Sequence, residues 1–337
     1  MLSFRKVFSI AALAAAAATS AAAQDAAKLK FATTEPPQSI ATRVWASWID
    51  KVNAEAKGHF SIELFAGGAL GRDPRNQLEL VMSGGADIGW GFPFFTPGKF
   101  PDNLVVSLPL IVRNAKEGSF AIWRLYERGM LRGWNDVVPV FMCTPSGNVV
   151  MSTKPVPNIA ALRNLRSSAS TPLQMQVVRA FGAAPVSGFN FSNAAEALSR
   201  GVLDFDVTGY TPSKIFKQFD VAKHALEIPM GPSPCAIFMN KASYDKLSPE
   251  ARAIFDLNRG LALAEKWAEA IDAQTQIVRE EWRTDPSRTL VTLPDDELKK
   301  AAAIVQPIIE EWEKSNPNGP ALVKALREEV QRVRDGR

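Results

Sequence analysis

The sequence predicts an α/β fold in two domains, and three observations carry the prediction. The chain has 337 residues, and at roughly 150 residues per domain that length fills two. Apolar residues alternate along short runs and recur every three to four positions along longer ones, so that strand and helix patterns follow each other repeatedly. Hydrophobic residues make up 46% of the chain and charged residues 22%. That balance excludes general disorder and supplies a sizeable core.

In chain order, LKFATTEPP is a short strand stopped by two prolines. SIATRVWASWIDKVNAEAKGH is a helix with Val44, Trp45, Trp48, Ile49 and Val52 on one face and Gly58 as its stop. FSIELF alternates as a strand, GGALGRDP turns, RNQLELVMSG forms a second helix, and ADIGWGF is strand-like. This alternation predicts a largely parallel sheet. Further on, VPVFMCTPSGNVVMST holds two strand pieces, TPLQMQVVRAFG a helix, NAAEALSRG a short helix and LDFDVTGY a strand. Residues 212–234 read as helix and connection, and PCAIFMN as another strand. From Ser248 the pattern is helical. PEARAIFDLNRGLALAEKWAEAIDAQTQIVREEW reads as one long amphipathic segment whose Trp267 and Trp282 fall in the packing stripe. DDELKKAAAIVQPIIEEWEKSNPNG and ALVKALREEVQRV are two more helices.

The opening residues, MLSFRKVFSIAALAAAAATSAAAQD, combine a basic start at Arg5 and Lys6, an apolar run, and small residues ending in Ala21, Ala22 and Ala23. This is the pattern of a secretory signal peptide over residues 1–23, cleaved after Ala23 and exporting the protein. A membrane anchor is the rival reading, but the alanine-rich run lacks the ~20 strongly apolar residues that span a bilayer. Cleavage removes two basic residues and no acid, taking the formal net charge from +4 to +2. Such balance argues against nucleic-acid binding, which needs a basic surface to neutralise phosphates. Cys143 and Cys235 lie in the apolar runs VPVFMC and PCAIFM. An oxidising compartment would allow them to pair, but burial in strands leads us to expect two free thiols.

Few residues suggest catalysis. His59 and His224 stand far apart without metal-ligand spacing, so surface or capping roles suit them, and no metal site or cofactor is expected. The chain has no GxSxG elbow, P-loop or strand-linked GxGxxG. Asp204 and Asp206 share one strand face, yet nothing else marks them for acid–base work. Aromatic residues, by contrast, crowd the carboxyl ends of the strands, where open α/β sheets bind ligands. Phe94, Phe189 and Phe205 read as core, whereas Trp90, Phe92, Phe191 and Tyr210 divide evenly between core and ligand contact.

The order of segments resembles the extracytoplasmic solute-binding subunits of TRAP transporters, the DctP-like receptors. The resemblance runs through Leu70, Gly71, Gly84 and Asp87, then VSLPLIVRN and STKPVPNIAALRNLR. It continues through Gly182, Ala183, Pro185, Phe191, Ala197, Leu198, Gly201 and Asp204, and closes on IFMNKASYDKLSPEAR. It implies a two-lobed periplasmic binding protein fold with hinge strands and a long connecting helix. Lobe I would hold residues 27–145 and 234–273, and lobe II residues 146–233 and 274–337. It also implies a monomeric receptor that takes up a small organic solute and delivers it to small and large TRAP membrane subunits. A receptor for an ABC importer or a sensor kinase would have a similar cleft, and a periplasmic enzyme is the rival from another class.

Carried onto this chain, the resemblance places the cleft at Thr33, Thr34, Asp73, Trp90, Phe92, Phe95, Asn148, Phe191 and Thr208, with Tyr210 beside it. The chain departs from the family in NLRSSASTP: the position of the family's carboxylate-gripping arginine falls at Ser168, with Arg166 two residues earlier on the same strand face. A serine cannot reproduce the paired charge-assisted hydrogen bonds of a guanidinium. Without the arginine, an anion in a closed cleft would be a poorly compensated buried charge. The expected solute is therefore either a neutral or aromatic molecule stacked on Trp90, Phe92 and Phe191, or a small cation with Asp73 or Asp206 nearby.

Overall fold

A computed structural model describes residues 26–147 and 149–337. The expected signal peptide and Asn148 lie outside the described residues. In chain order, β1 (Ala27–Ala32), β2 (Phe60–Phe65), β3 (Ile88–Gly91) and β4 (Val137–Cys143) are followed by β5 (Val149–Ser152), β6 (Arg166–Ala169), β7 (Ala184–Pro185), β8 (Phe205–Thr208) and β9 (His224–Glu227). β10 (Cys235–Asn240) and β11 (Thr289–Thr292) complete the strands. They form two sheets, ordered β2-β1-β3-β10-β4 and β11-β9-β5-β8-β6-β7.

Both sheets are mixed rather than largely parallel. β1 runs parallel to β2 and β3, and β6 parallel to β7 and β8, as strand–helix alternation requires. The antiparallel pairs β3–β10, β4–β10, β5–β8 and β5–β9 involve the strands that carry the chain out of one sheet and back into it. Between β4 and β5 lies only a short connection, and β9 is followed closely by β10. Such direct crossings reverse strand direction, whereas a helical crossover keeps it.

The helix Ile40–Ala56 begins where Ser39 accepts a hydrogen bond from the Thr42 amide. It buries Trp45, Trp48, Ile49 and Val52 against the first sheet, with Val44 half-buried at the edge of that stripe. The helical run after Ser248 is two helices, Pro249–Leu257 and Leu261–Thr284, not one. Gly260 separates them at φ +86°, and a Cβ there would stand 2.9 Å from the Trp123 ring. A helix cannot run through that conformation, and glycine alone adopts it without strain. Two further strands, β9 and β11, pair with each other; β9 falls in the stretch read as helix and connection, and β11 in the region from Ser248 read as helical.

The last helix, Gly319–Arg334, sits elsewhere than the expected lobe II range. Its Leu322, Leu326 and Val330 enter the core of the first sheet, and Arg334 bonds Glu117 at 2.9 Å. Its amphipathic stripe shows that it packs but not against which lobe. His59 is exposed in the turn before β2, and His224 opens β9 with its Nδ1 2.8 Å from the Thr289 hydroxyl. No helix of the described residues is long and apolar enough to cross a membrane.

Candidate solute cavity

The two sheets meet over a cavity of about 90 Å³, several times the ~10–15 Å³ that holds one water. On the first-sheet side, β3 supplies Trp90, and the chain then turns through Phe92 and Phe94. The sequence Gly89-Trp90-Gly91 has a local reason. A Cβ on Gly91 would lie 2.8 Å from Phe238 and one on Gly89 2.5 Å from Val81, so one face of β3 has room only for hydrogen. The other face carries the indole. Trp90 packs between Trp45 and Trp267, with ring centroids at 4.6 and 5.1 Å.

From the second sheet come Ser170 after β6, Thr208 at the end of β8, and Thr211, Ile215 and Phe216 from the following turn of helix. Phe191 leans across from its loop, 5.2 Å from Phe92 and 4.9 Å from Phe216 between ring centroids. It thus links aromatic groups of the two sheets. The crossings supply Pro145, Ser233 and Cys235, and the long helix supplies Trp267 and Ile271.

Among the described residues no lysine or arginine lines this cavity, and the one ionisable carboxyl that does is Glu35. The strand end positions it: Thr33 accepts a hydrogen bond from the Glu35 amide at 3.1 Å, and the Glu35 carbonyl accepts one from Gly67. Burial pushes the Glu35 pKa up to about 7, while the Trp90 indole and the Ser39 hydroxyl pull it back. The Trp90 N–H approaches without closing a hydrogen bond of regular geometry. An adjoining depression shares Ile40, Thr211 and Ile215 with the cavity and carries Arg43 and Lys214, so positive charge stands at the approach rather than inside.

Of the residues singled out from sequence, Trp90, Phe92, Phe191 and Thr208 meet in this cavity. Phe95 packs behind Phe92 and Phe94, at 5.9 and 4.4 Å, without lining it. Thr34 is half-buried next to Glu35. Asp73 lies away from the cavity, capping the turn Pro74–Asn76 and bonded to Arg75, which holds its pKa down. Tyr210 is buried against a second cavity, donating to Glu227 at 3.0 Å beside the Arg279–Glu227 ion pair.

Neither candidate for the missing arginine reaches the cavity. Ser168 is fully buried and donates to Asp206 at 2.6 Å, its register partner across β6 and β8. Burial raises the Asp206 pKa to about 6, while Ser168 and the Val207 amide oppose the rise. Arg166 pairs with Asp204 at 3.1 Å and bonds the Gly201 carbonyl at 2.6 Å, at the opposite end of the strand from Ser170. Against the cost of burial, Arg166 and Lys154 hold Asp204 well below the usual carboxylate range.

Sequence reasoning missed Glu35, although TTEPPQS places one acid between a strand end and a helix cap. It also read Trp267 and Phe94 only as packing. Both pack and both line the cavity.

Two α/β lobes enclosing an aromatic cavity at the strand ends define a binding protein. The profile of the family described as Bacterial extracellular solute-binding protein, family 7, matches residues 31–315. The chain belongs to that family, whose members are solute receptors and not enzymes. A marine-metagenome TRAP solute-binding protein specific for aromatic acids, solved with 3-hydroxybenzoate, is 26% identical and superposes with a TM-score of 0.85 over 91% of this chain and 98% of its own. A TRAP solute-binding protein of Rhodoferax ferrireducens, solved with benzoate, is 24% identical with a TM-score of 0.84 over 90% and 98% of the two chains. The transporter protein TsaT of Comamonas testosteroni, described as outer-membrane, is 24% identical over 82% of each chain.

Proposed function

We propose that this chain is the periplasmic receptor of a TRAP-type transporter, exported with cleavage after Ala23, and that its solute is a small aromatic molecule without negative charge. The carrying observation is a cavity walled by Trp90, Phe92, Phe191, Phe216 and Trp267, with no cationic side chain among the described residues and with Glu35 buried in it. The aromatic-acid ligand of the metagenomic relative supports the ring. The carboxylate does not carry over. An anion here would be desolvated next to a second carboxyl group with no counter-charge.

The walls give face and edge contacts to a ring. Glu35, Ser170, Thr208 and Ser233 provide hydrogen bonds for a hydroxyl or similar neutral group. Asp73 and Asp206, the carboxylates expected to steady a cation, stand outside, and the carboxyl that faces the solute is Glu35, whose pKa burial raises to about 7. The lobes close about the crossings near residues 145 and 234, and solute favours the closed form by its differential affinity. The closed complex then delivers the solute to small and large membrane subunits, with the receptor acting as a monomer.

Calorimetry with matched pairs tests the solute class: 3-hydroxybenzyl alcohol against 3-hydroxybenzoate, and benzyl alcohol against benzoate and benzylamine. Preference for the alcohols is expected. Tighter binding of either acid, lost in Arg166→Ala, would restore an arginine-anchored anion. Tighter binding of the amine would favour the cation.

A further inference from the structure

We propose that Cys143 and Cys235 are oxidised to a disulfide in the exported protein, tying the strand by which the chain leaves the first sheet to the strand by which it returns. Strand pairing carries the inference. Cys143 ends β4, Cys235 begins β10, and the two are direct partners in the antiparallel register. Residues directly opposite in such a pair have Cα atoms about 4.5–5.5 Å apart, within the span of a disulfide. Their sulfurs are in contact at 2.8 Å, and the Cys235 thiol also donates to the Cys143 carbonyl at 3.2 Å. Both residues are buried, so this juxtaposition is fixed by the sheet rather than by chance encounter.

Family membership places the protein outside the cytoplasm, where thiols at this separation encounter oxidants. The chemistry is thiol–disulfide exchange with a disulfide-bearing oxidoreductase. One thiolate attacks the oxidant's disulfide and forms a mixed disulfide. The second thiolate then attacks the sulfur of the first, closes the Cys143–Cys235 bond and releases the oxidant as a dithiol. The chain loses two electrons and two protons, and the oxidant gains them. Burial pushes both thiols up, so the folded protein holds little thiolate for this reaction. Exchange therefore belongs to the folding chain, before the sheet closes, and the finished bond is shielded from reductants.

The bond would close a loop containing all of residues 144–234, which include β5 to β9. It would sit where Cys235 lines the solute cavity, fixing the floor from which the lobes move.

The test uses the full chain secreted to the periplasm of a bacterial host and purified without reductant. The protein is unfolded in N-ethylmaleimide and its intact mass measured, with and without prior reduction in denaturant. The expected result is no adduct without reductant, two adducts after reduction, and a tryptic peptide linking Cys143 to Cys235. Two adducts without reductant would overturn the proposal, as would disulfides found only between chains. A second measurement follows kinetics on wild-type protein reduced and refolded. The folded dithiol should resist oxidised glutathione, and refolding in its presence should yield the bridge. Rapid oxidation of the folded dithiol would overturn the assignment of closure to the folding chain. A Cys143→Ser, Cys235→Ser double variant that melts at the temperature of the oxidised wild type would deny the bond its tying role.

Discussion

Replacing Glu35 by glutamine preserves the shape of the side chain and removes its titration, which makes the electrostatic reading of the cavity measurable. In the folded protein this carboxyl has a pKa of about 7 against an ordinary value of 4.5. The folded chain therefore binds an extra proton between those values, and stability falls as pH rises through that window. The penalty is absent well below 4.5 and complete above 7. At about 1.4 kcal/mol per pKa unit, the full shift destabilises by roughly 3 kcal/mol, of which roughly 2.5 develops between about pH 5 and pH 8. Glu35→Gln should thus gain that much over wild type across the interval, a differential shift of about 3–5 °C in Tm for a chain this long. Asp206, also raised, is present in both proteins and cancels in the comparison. Calorimetric melting of both proteins at several pH values is the assay. A Tm difference that stays constant across the window would refute the account of Glu35 as a buried, cation-free carboxyl. In binding, a neutral ring that excludes water should raise the Glu35 pKa further, so its affinity should fall as pH passes about 7. An ammonium solute would give the opposite slope.

Four other substitutions separate cavity from scaffold. Phe92→Ala and Phe191→Ala should each weaken solute binding about tenfold, and their double-mutant cycle in stability should return a coupling of about 0.5–1.5 kcal/mol for the ring pair. Additive effects would deny the contact between lobes. Arg166→Ala should lower stability by removing one of the two cations on Asp204, with Lys154 still paired to it, yet leave solute affinity within about twofold, as checked by urea melts and calorimetry. Gly260→Ala should destabilise by about 1–3 kcal/mol through its positive φ and the Trp123 ring, with no change in affinity at saturation of folding.

The fold was legible because it is written in local periodicity. The strand–helix alternation up to Gly91 and the buried face Trp45, Trp48, Ile49 and Val52 follow from short-range pattern and reappear in the first sheet. What was not legible depends on partners distant in sequence. Strands β9 and β11 are short, and only pairing with partners distant in sequence, β9 with β5 and β11 with β9, distinguishes them from loop. The helix Gly319–Arg334 shows its apolar stripe in sequence, while its docking on Ala115–Glu127 does not. The cavity divides likewise. Trp90, Phe92, Phe191 and Thr208 lie at strand ends or next to a recognisable motif, whereas Asp73 and Tyr210 share those positions and turn to local partners. Glu35 escaped because a lone acid in a loop looks solvated, and only neighbours brought in by the fold, Trp90 among them, make it a buried carboxyl.

The position of β10 between β3 and β4 has a consequence for how the protein is made. Among the described residues β4 pairs with no other strand, so the apolar segment Val137–Cys143 has no edge to join until residues 235–240 have been synthesised. Everything between them, including β5 to β9, is delivered first. The first sheet therefore cannot finish folding in order of synthesis, and its completion waits on a long-range pairing of the slow, aggregation-exposed kind. A nascent chain truncated anywhere between Cys143 and Cys235 would present an unpaired hydrophobic strand to chaperones and proteases. The two-lobed receptor is, in biogenesis, a single late-closing unit.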